Sequence, residues 1–146
     1  MMERPGIIPY LVRHPFVRFG FVGGLGYFVD LGILALAMDR WGLDFAEARV
    51  FSIFGAMCFT WAGNRYLTFP ERRARTLSGA FQEWLRFVGA NLLGAVVNYA
   101  VSVALVRYAP FPFHYKYAAQ AAGVLAGLVF NFTLSRSLVF KSPAKG

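Results

Sequence analysis

The chain has 146 residues, of which 58% are hydrophobic and only 15% charged, with a mean hydropathy of +0.50 and a net charge of +8. A soluble domain carries roughly a quarter of its residues as charges to cover its surface, so this composition argues against an ordinary water-soluble fold and against a basic nucleic-acid-binding module. The expectation is an all-α integral membrane protein: four transmembrane helices as a parallel tandem repeat of two-helix units, with both termini cytoplasmic.

A bilayer core about 30 Å thick needs about 20 apolar residues of helix, and four blocks approach that length. They fall at about 19–38, 49–64, 87–106 and 117–134, and they leave no stretch long enough for a separate soluble domain. The first block ends near Ala35-Leu36-Ala37, which mimics a signal-peptidase site. Its length, its Asp30 and the three spans behind it favour a retained helix over a cleaved signal. The second block is the shortest, so Arg49 and Asn64 are expected to snorkel or to sit at the interfaces. Pro110 and Pro112 mark the loop between the last two blocks.

The basic residues give the topology. Eleven of the fifteen lie before the first span, between spans two and three, or after span four: Arg4, Arg13, Arg18, Arg65, Arg72, Arg73, Arg75, Arg86, Arg136, Lys141 and Lys145. Only Arg40, Arg49, Arg107 and Lys116 fall to the other two loops. Because Lys and Arg are retained in the cytoplasm, both termini and the middle loop are expected inside.

The two halves of the chain match. Arg18-Phe19 opens span one and Arg86-Phe87 opens span three, and twelve residues after each arginine comes Asp30 or Asn98. Leu25 and Gly26 fall opposite Leu93 and Gly94 at an offset of 68. Asn64-Arg65-Tyr66-Leu67-Thr68-Phe69 aligns with Ser135-Arg136-Ser137-Leu138-Val139-Phe140 at an offset of 71, which puts Thr60 opposite Asn131. Since each copy holds two spans, both copies enter from the same side, about an axis along the membrane normal. The organisation expected is one domain over 1–146, with repeat one at about 16–69, a cytoplasmic linker at about 70–83 and repeat two at about 84–141.

These motifs, with Gly24-Leu25-Gly26 and Val29-Asp30-Leu31, resemble the GtrA-like family of small membrane proteins over about 16–141. Leu67 and Leu138 depart from the family's frequent tryptophan before its closing motif. The resemblance implies a multi-pass protein of the inner membrane acting in cell-surface polysaccharide synthesis. Two roles are implied: translocation of a polyprenyl-phosphate-linked sugar, or recruitment of the glycosyltransferase that makes it.

Several residues are candidates for that chemistry. Asp30 lies about 18 Å along its helix from Arg18, near the middle of the membrane, where a lone charge is costly and must face the bundle interior. It either handles protons or sugar hydroxyls, or makes a structural hydrogen bond to Asn98 or Tyr99. Arg18, Arg65, Arg86 and Arg136 sit one per helix end on the cytoplasmic side, and a guanidinium fork grips phosphate through two hydrogen bonds. Ordinary positive-inside anchoring puts arginine there as well; Arg65 and Arg136, inside the matching motifs, are the stronger candidates. Arg72, Arg73 and Arg75 read as a solvated loop attracted to anionic lipid. Asn64, with the intramembrane Asn98 and Asn131, supplies amides that can meet a phosphate, a sugar, or another helix, and Asn91, Gln120 and Thr60 are weaker candidates of the same kind. Gly20 and Gly24, and Ala119, Gly123 and Gly127, read as close-packing faces. Cys58 is alone, no Cys–His cluster suggests a metal, and no serine has a triad partner, so neither enzyme nor cofactor is expected. A four-span exporter of cationic drugs is disfavoured by the arginine-rich mouth and the one-sided charge. Four short helices enclose too little space to shield a sugar headgroup, so a homo-oligomer is expected.

Overall fold

The computed structural model describes residues 12–139, with side chains through Asn131 except that of Phe16. The described chain is helical and contains four long helices: α1 (Pro15–Asp39), α2 (Phe45–Gly63), α3 (Leu77–Tyr108) and α4 (Lys116–Val139). Local chemistry sets their ends. Gly42, at φ 67°, turns the chain after α1, and the Leu43 N–H donates to the Ala37 carbonyl at 3.2 Å. Asp44 then caps α2: its carboxylate accepts from the Glu47 N–H at 2.8 Å, while Glu47 accepts from the Asp44 N–H at 3.1 Å, a reciprocal capping box. Thr76 caps α3 by accepting from the Gly79 N–H at 3.1 Å. Pro110 and Pro112 follow α3 and cannot continue it.

Two boundaries differ from the sequence expectation. The second helix starts at Phe45 rather than near Arg49, because the Asp44–Glu47 box nucleates it one turn earlier. The third starts at Leu77, so half of the expected linker at 70–83 is already the first two turns of α3. α2 also continues past Gly63 as a π-helical turn, Asn64–Thr68, closed by the Phe69 N–H donating to the Asn64 carbonyl at 2.8 Å. The Asn64-Arg65-Tyr66-Leu67-Thr68 motif is therefore one widened turn, a feature that recurs at functional sites.

Neighbours in sequence pack as antiparallel pairs, α1 with α2 and α3 with α4, and α2 against α3 provides most of the contact between the pairs. Glycines set the closeness within pairs. A Cβ at Gly26 would collide with Thr60, and one at Gly94 with the Asn131 amide; one at Gly127 would lie 2.6 Å from the Gly94 carbonyl oxygen. The expected close-packing role holds for Gly123 and Gly127, whereas Gly20 and Gly24 have nothing within 4 Å and face outward within this chain.

The burial pattern is inverted relative to a soluble protein. The buried side chains include Asp30, Arg49, Ser52, Asn64, Thr68, Ser102 and Gln120, while Phe21, Phe28, Phe51, Phe54, Leu92, Leu93, Val96, Leu125, Leu128 and Val129 are exposed. Such a surface is at home in lipid, where the backbone is satisfied inside helices and apolar side chains face outward. Val17–Asp39 and Leu77–Tyr108, of 23 and 32 residues, are long and apolar enough to cross a membrane. The apolar core, built on Leu34, Ala37, Phe45, Ala48 and Ala119, lies toward the end of the bundle that carries the 40–44 and 109–115 loops. Toward the other end the helix pairs part.

Candidate functional site

Where they part, all four helices line a cleft of about 240 Å³. Its polar lining comes from Asp30 of α1, Thr60 of α2, Asn91 and Asn98 of α3 and Asn131 of α4, with Tyr27 beside them. The cleft's lining residues fall at the two offsets seen in the sequence. Gly23, Gly26, Tyr27 and Asp30 match Asn91, Gly94, Ala95 and Asn98 at an offset of 68. Ile53, Ala56, Met57 and Thr60 match Val124, Gly127, Leu128 and Asn131 at an offset of 71. Only Phe87 lines the cleft without its mate, Phe19.

Asp30 is 3% exposed, and a carboxylate so placed is stable only when both oxygens are filled. Its Oδ1 accepts from Arg49 Nη1 at 2.6 Å and its Oδ2 from Gln120 Nε2 at 3.0 Å. Arg49 in turn spends every nitrogen. Nη1 also donates to Ser52 Oγ at 2.8 Å, Nη2 to Asn98 Oδ1 at 2.6 Å, and Nε to Ser102 Oγ at 3.3 Å. Ser102 passes its own proton to the Tyr99 carbonyl at 3.0 Å. Among the described residues, the buried side-chain atom left without a partner is Gln120 Oε1.

This clasp corrects two expectations. Arg49 neither snorkels nor sits at an interface: it is fully buried, because α2 begins a turn earlier and carries it inward to Asp30. Asp30 meets neither Asn98 nor Tyr99 directly, since Arg49 stands between and draws Asn98 into its own set. Gln120, a weaker candidate in the sequence, is a full member of the clasp, and its position carried a signal: it lies 71 residues after Arg49, the offset that pairs Thr60 with Asn131. Asp30, Arg49, Asn98 and Gln120 thus occupy two matched pairs of positions and bond across the boundary between the helix pairs.

At the cleft's other end Phe87 also lines a second cavity, of about 360 Å³, with Trp61, Asn64, Arg65, Arg72, Arg73 and Glu83. Asn64 is buried and accepts from the Thr68 hydroxyl at 3.0 Å. Arg65 is not a free guanidinium. Nη1 pairs with Glu83, Nη2 donates to the Ala74 carbonyl at 2.5 Å, and the group lies 5.7 Å from the Trp61 ring and 5.6 Å from that of Tyr66. Arg18 is occupied differently, donating to the Val12 and Leu67 carbonyls at 3.1 Å each and so tying α1 to the widened turn. Arg86 is exposed on α3. Arg136 lies outside the described side chains, as do Arg4, Lys141 and Lys145. Of the four arginines expected at the helix ends, the structure describes three: Arg65 is paired, Arg18 is bonded to carbonyls and Arg86 is exposed. Arg72 and Arg73, read from sequence as solvated loop residues, join Arg65 and Asn64 around one cavity because the 70–76 turn folds back over α3. Among the described residues no cluster of His, Cys, Asp and Glu could hold a metal ion.

A helical domain with an apolar exterior, a buried ionic clasp and a polar cleft between helix pairs is a membrane domain that admits polar groups to its interior. The family described as GtrA/DPMS, transmembrane domain, matches residues 18–145, and the chain belongs to it. The family places the protein among membrane proteins of lipid-linked sugar processes. No curated protein and no solved structure matches the chain.

Proposed function

We propose that the protein carries a polyprenyl-phosphate-linked sugar, or the bare polyprenyl phosphate, across the inner membrane during cell-surface polysaccharide synthesis, without catalysing a bond change. In this reading all four helices span, both termini and the 70–76 turn are cytoplasmic, and the halves at about 16–69 and 84–141 are copies of one two-helix unit. The eight matched pairs of cleft residues support the duplication. The lipid phosphate docks in the arginine-bearing cavity, the sugar enters past Phe87, and the isoprenoid tail stays in lipid against the exposed phenylalanines and leucines. A homo-oligomer would complete the shielding of the headgroup.

The observation that carries the proposal is the cleft itself: a hydroxyl of α2 and amides of α3 and α4 line it together with Asp30 of α1, whose carboxylate is paired with the buried Arg49, a costly arrangement in lipid that is retained where polar groups must pass. The test is transfer between leaflets in proteoliposomes given a labelled polyprenyl-phosphate sugar on one side. Asn91→Leu with Asn131→Leu, which fills the cleft and spares the clasp, should slow transfer about tenfold or more if each lost hydrogen bond is worth about 1 kcal/mol. Folded wild-type protein that moves no such lipid refutes the proposal.

One observation favours a second reading, a scaffold for a membrane glycosyltransferase. The 70–76 turn is pinned through Arg65 and Glu83 and presents Arg73 and Arg75 around an open cavity of about 420 Å³. A scaffold loses glycosyltransferase support when Arg75, which lines this cavity and not the one that docks the phosphate, is replaced by alanine, and keeps it when the cleft is filled; a carrier shows the reverse.

A further inference from the structure

Glu83 is the one acid lining the cavity that holds Asn64, Arg65, Arg72 and Arg73. It stands at the start of α3 with its side chain 28% exposed, while Arg65, its partner, is held at 9%. Its two oxygens divide the work: Oε2 accepts from Arg65 Nη1, and Oε1 accepts from the backbone N–H of Ala74. A guanidinium and a main-chain amide converging on one anionic group are the donors that proteins present to phosphate. Arg73 rests over the Tyr66 ring at 5.1 Å, and neither it nor Arg72 is paired with an acid among the described residues. The cavity therefore holds more positive charge than Glu83 neutralises.

From this geometry we infer that Glu83 is a resident stand-in for the phosphate of the lipid ligand, displaced when that phosphate binds. The inference rests on the reading that the protein handles lipid phosphates and adds the residue that sets their affinity. In the free protein the carboxylate keeps the half-buried Arg65 guanidinium compensated, which an empty site would leave without a counter-charge. An incoming phosphate takes the Arg65 and Ala74 donors and gains Arg72 and Arg73, which Glu83 does not engage. Glu83, already partly exposed, turns toward water. Such a partly solvated pair is weak enough to be broken by a ligand, and apparent affinity is lowered by the fraction of molecules in which Glu83 occupies the donors.

The experiment measures binding of geranylgeranyl phosphate, with inorganic phosphate in parallel, to the full chain in nanodiscs. Glu83→Gln keeps the side chain's size and an acceptor for the Ala74 amide but removes the competing charge. It should bind the lipid phosphate about five- to tenfold more tightly than wild type. Glu83→Asp, too short to reach both donors, should also bind more tightly, and serves if the glutamine variant does not fold. In wild type, saturating ligand should make the Glu83 carboxylate, turned toward water, more reactive toward a water-soluble carbodiimide, a change that a purely structural Glu83 would not show. A gain confined to geranylgeranyl phosphate supports displacement by a lipid headgroup, and a gain shared with inorganic phosphate supports displacement by phosphate alone. Weaker or unchanged binding by both variants, with wild type binding normally, overturns the inference and leaves the carrier reading standing. Absence of binding by wild type and variants alike overturns both.

Discussion

Asp30 and Arg49 meet at 2.6 Å with almost no exposure, and each fills the other's need for a counter-charge. Removing one partner of such a pair leaves a buried charge uncompensated, at about 3–5 kcal/mol, whereas replacing both can be close to neutral. Asp30→Asn is therefore expected to lower stability by about 3 kcal/mol, read as thermal or denaturant unfolding in detergent, and Arg49→Met added to it should recover most of the loss. Additive losses in the double variant would show that the two side chains do not act as a pair. The acid was legible in the sequence because a carboxylate twelve residues into an apolar helix has few places to go. Its partner was not. An arginine near the edge of a short apolar block reads as a snorkelling anchor, and only the early start of α2 at the Asp44–Glu47 box carries it inside. An aspartate three residues before a glutamate is a short pattern that a reading by apolar block length passes over. Pairings such as Arg65 with Glu83 depend on how a turn folds back and leave no periodic trace.

Among the elements, the α3–α4 crossing is the tightest, with Gly94, Gly123 and Gly127 allowing backbone and amide groups to touch. A methyl group at Gly127 would meet the Gly94 carbonyl, which is backbone and cannot swing aside. Gly127→Ala should cost about 1–3 kcal/mol in unfolding free energy, in the range of overpacked cores. Gly20→Ala meets open space and should be neutral or stabilising by up to about 1 kcal/mol through helix propensity. Equal costs at the two positions would contradict the packing described. Small residues four apart announced a packing face on both helices, but spacing alone does not say which face a neighbour covers. For α4 it is α3; for the Gly20–Gly24 face nothing among the described residues serves. The widened Asn64–Thr68 turn was likewise legible as a motif and not as a shape, since a π-turn shares its composition with the α-helix it interrupts.

On the scale of the whole molecule, apolar core and polar cleft divide the bundle: side chains seal one end, and the helix pairs separate toward the other. The Lys116–Asp39 pair at 3.6 Å and the Asp30–Arg49–Asn98–Gln120 clasp join the two pairs on the sealed side. The arginine-bearing cavity adjoins the open side through Phe87. The all-helical membrane class was readable in advance because lipid imposes the block lengths. The cleft was not, because its shape depends on which glycines admit a neighbour. The central claim is that this cleft opens toward the cytoplasm and receives a lipid-linked sugar. It is tested most directly by replacing Cys58 with alanine, introducing Thr60→Cys in the cleft wall, and timing its reaction with a membrane-impermeant thiol reagent in inside-out vesicles. The account predicts reaction from the cytoplasmic face, slowed several-fold by saturating polyprenyl-phosphate sugar. A thiol that stays unreactive from that face, or reacts at the same rate whether or not the lipid is present, would contradict it.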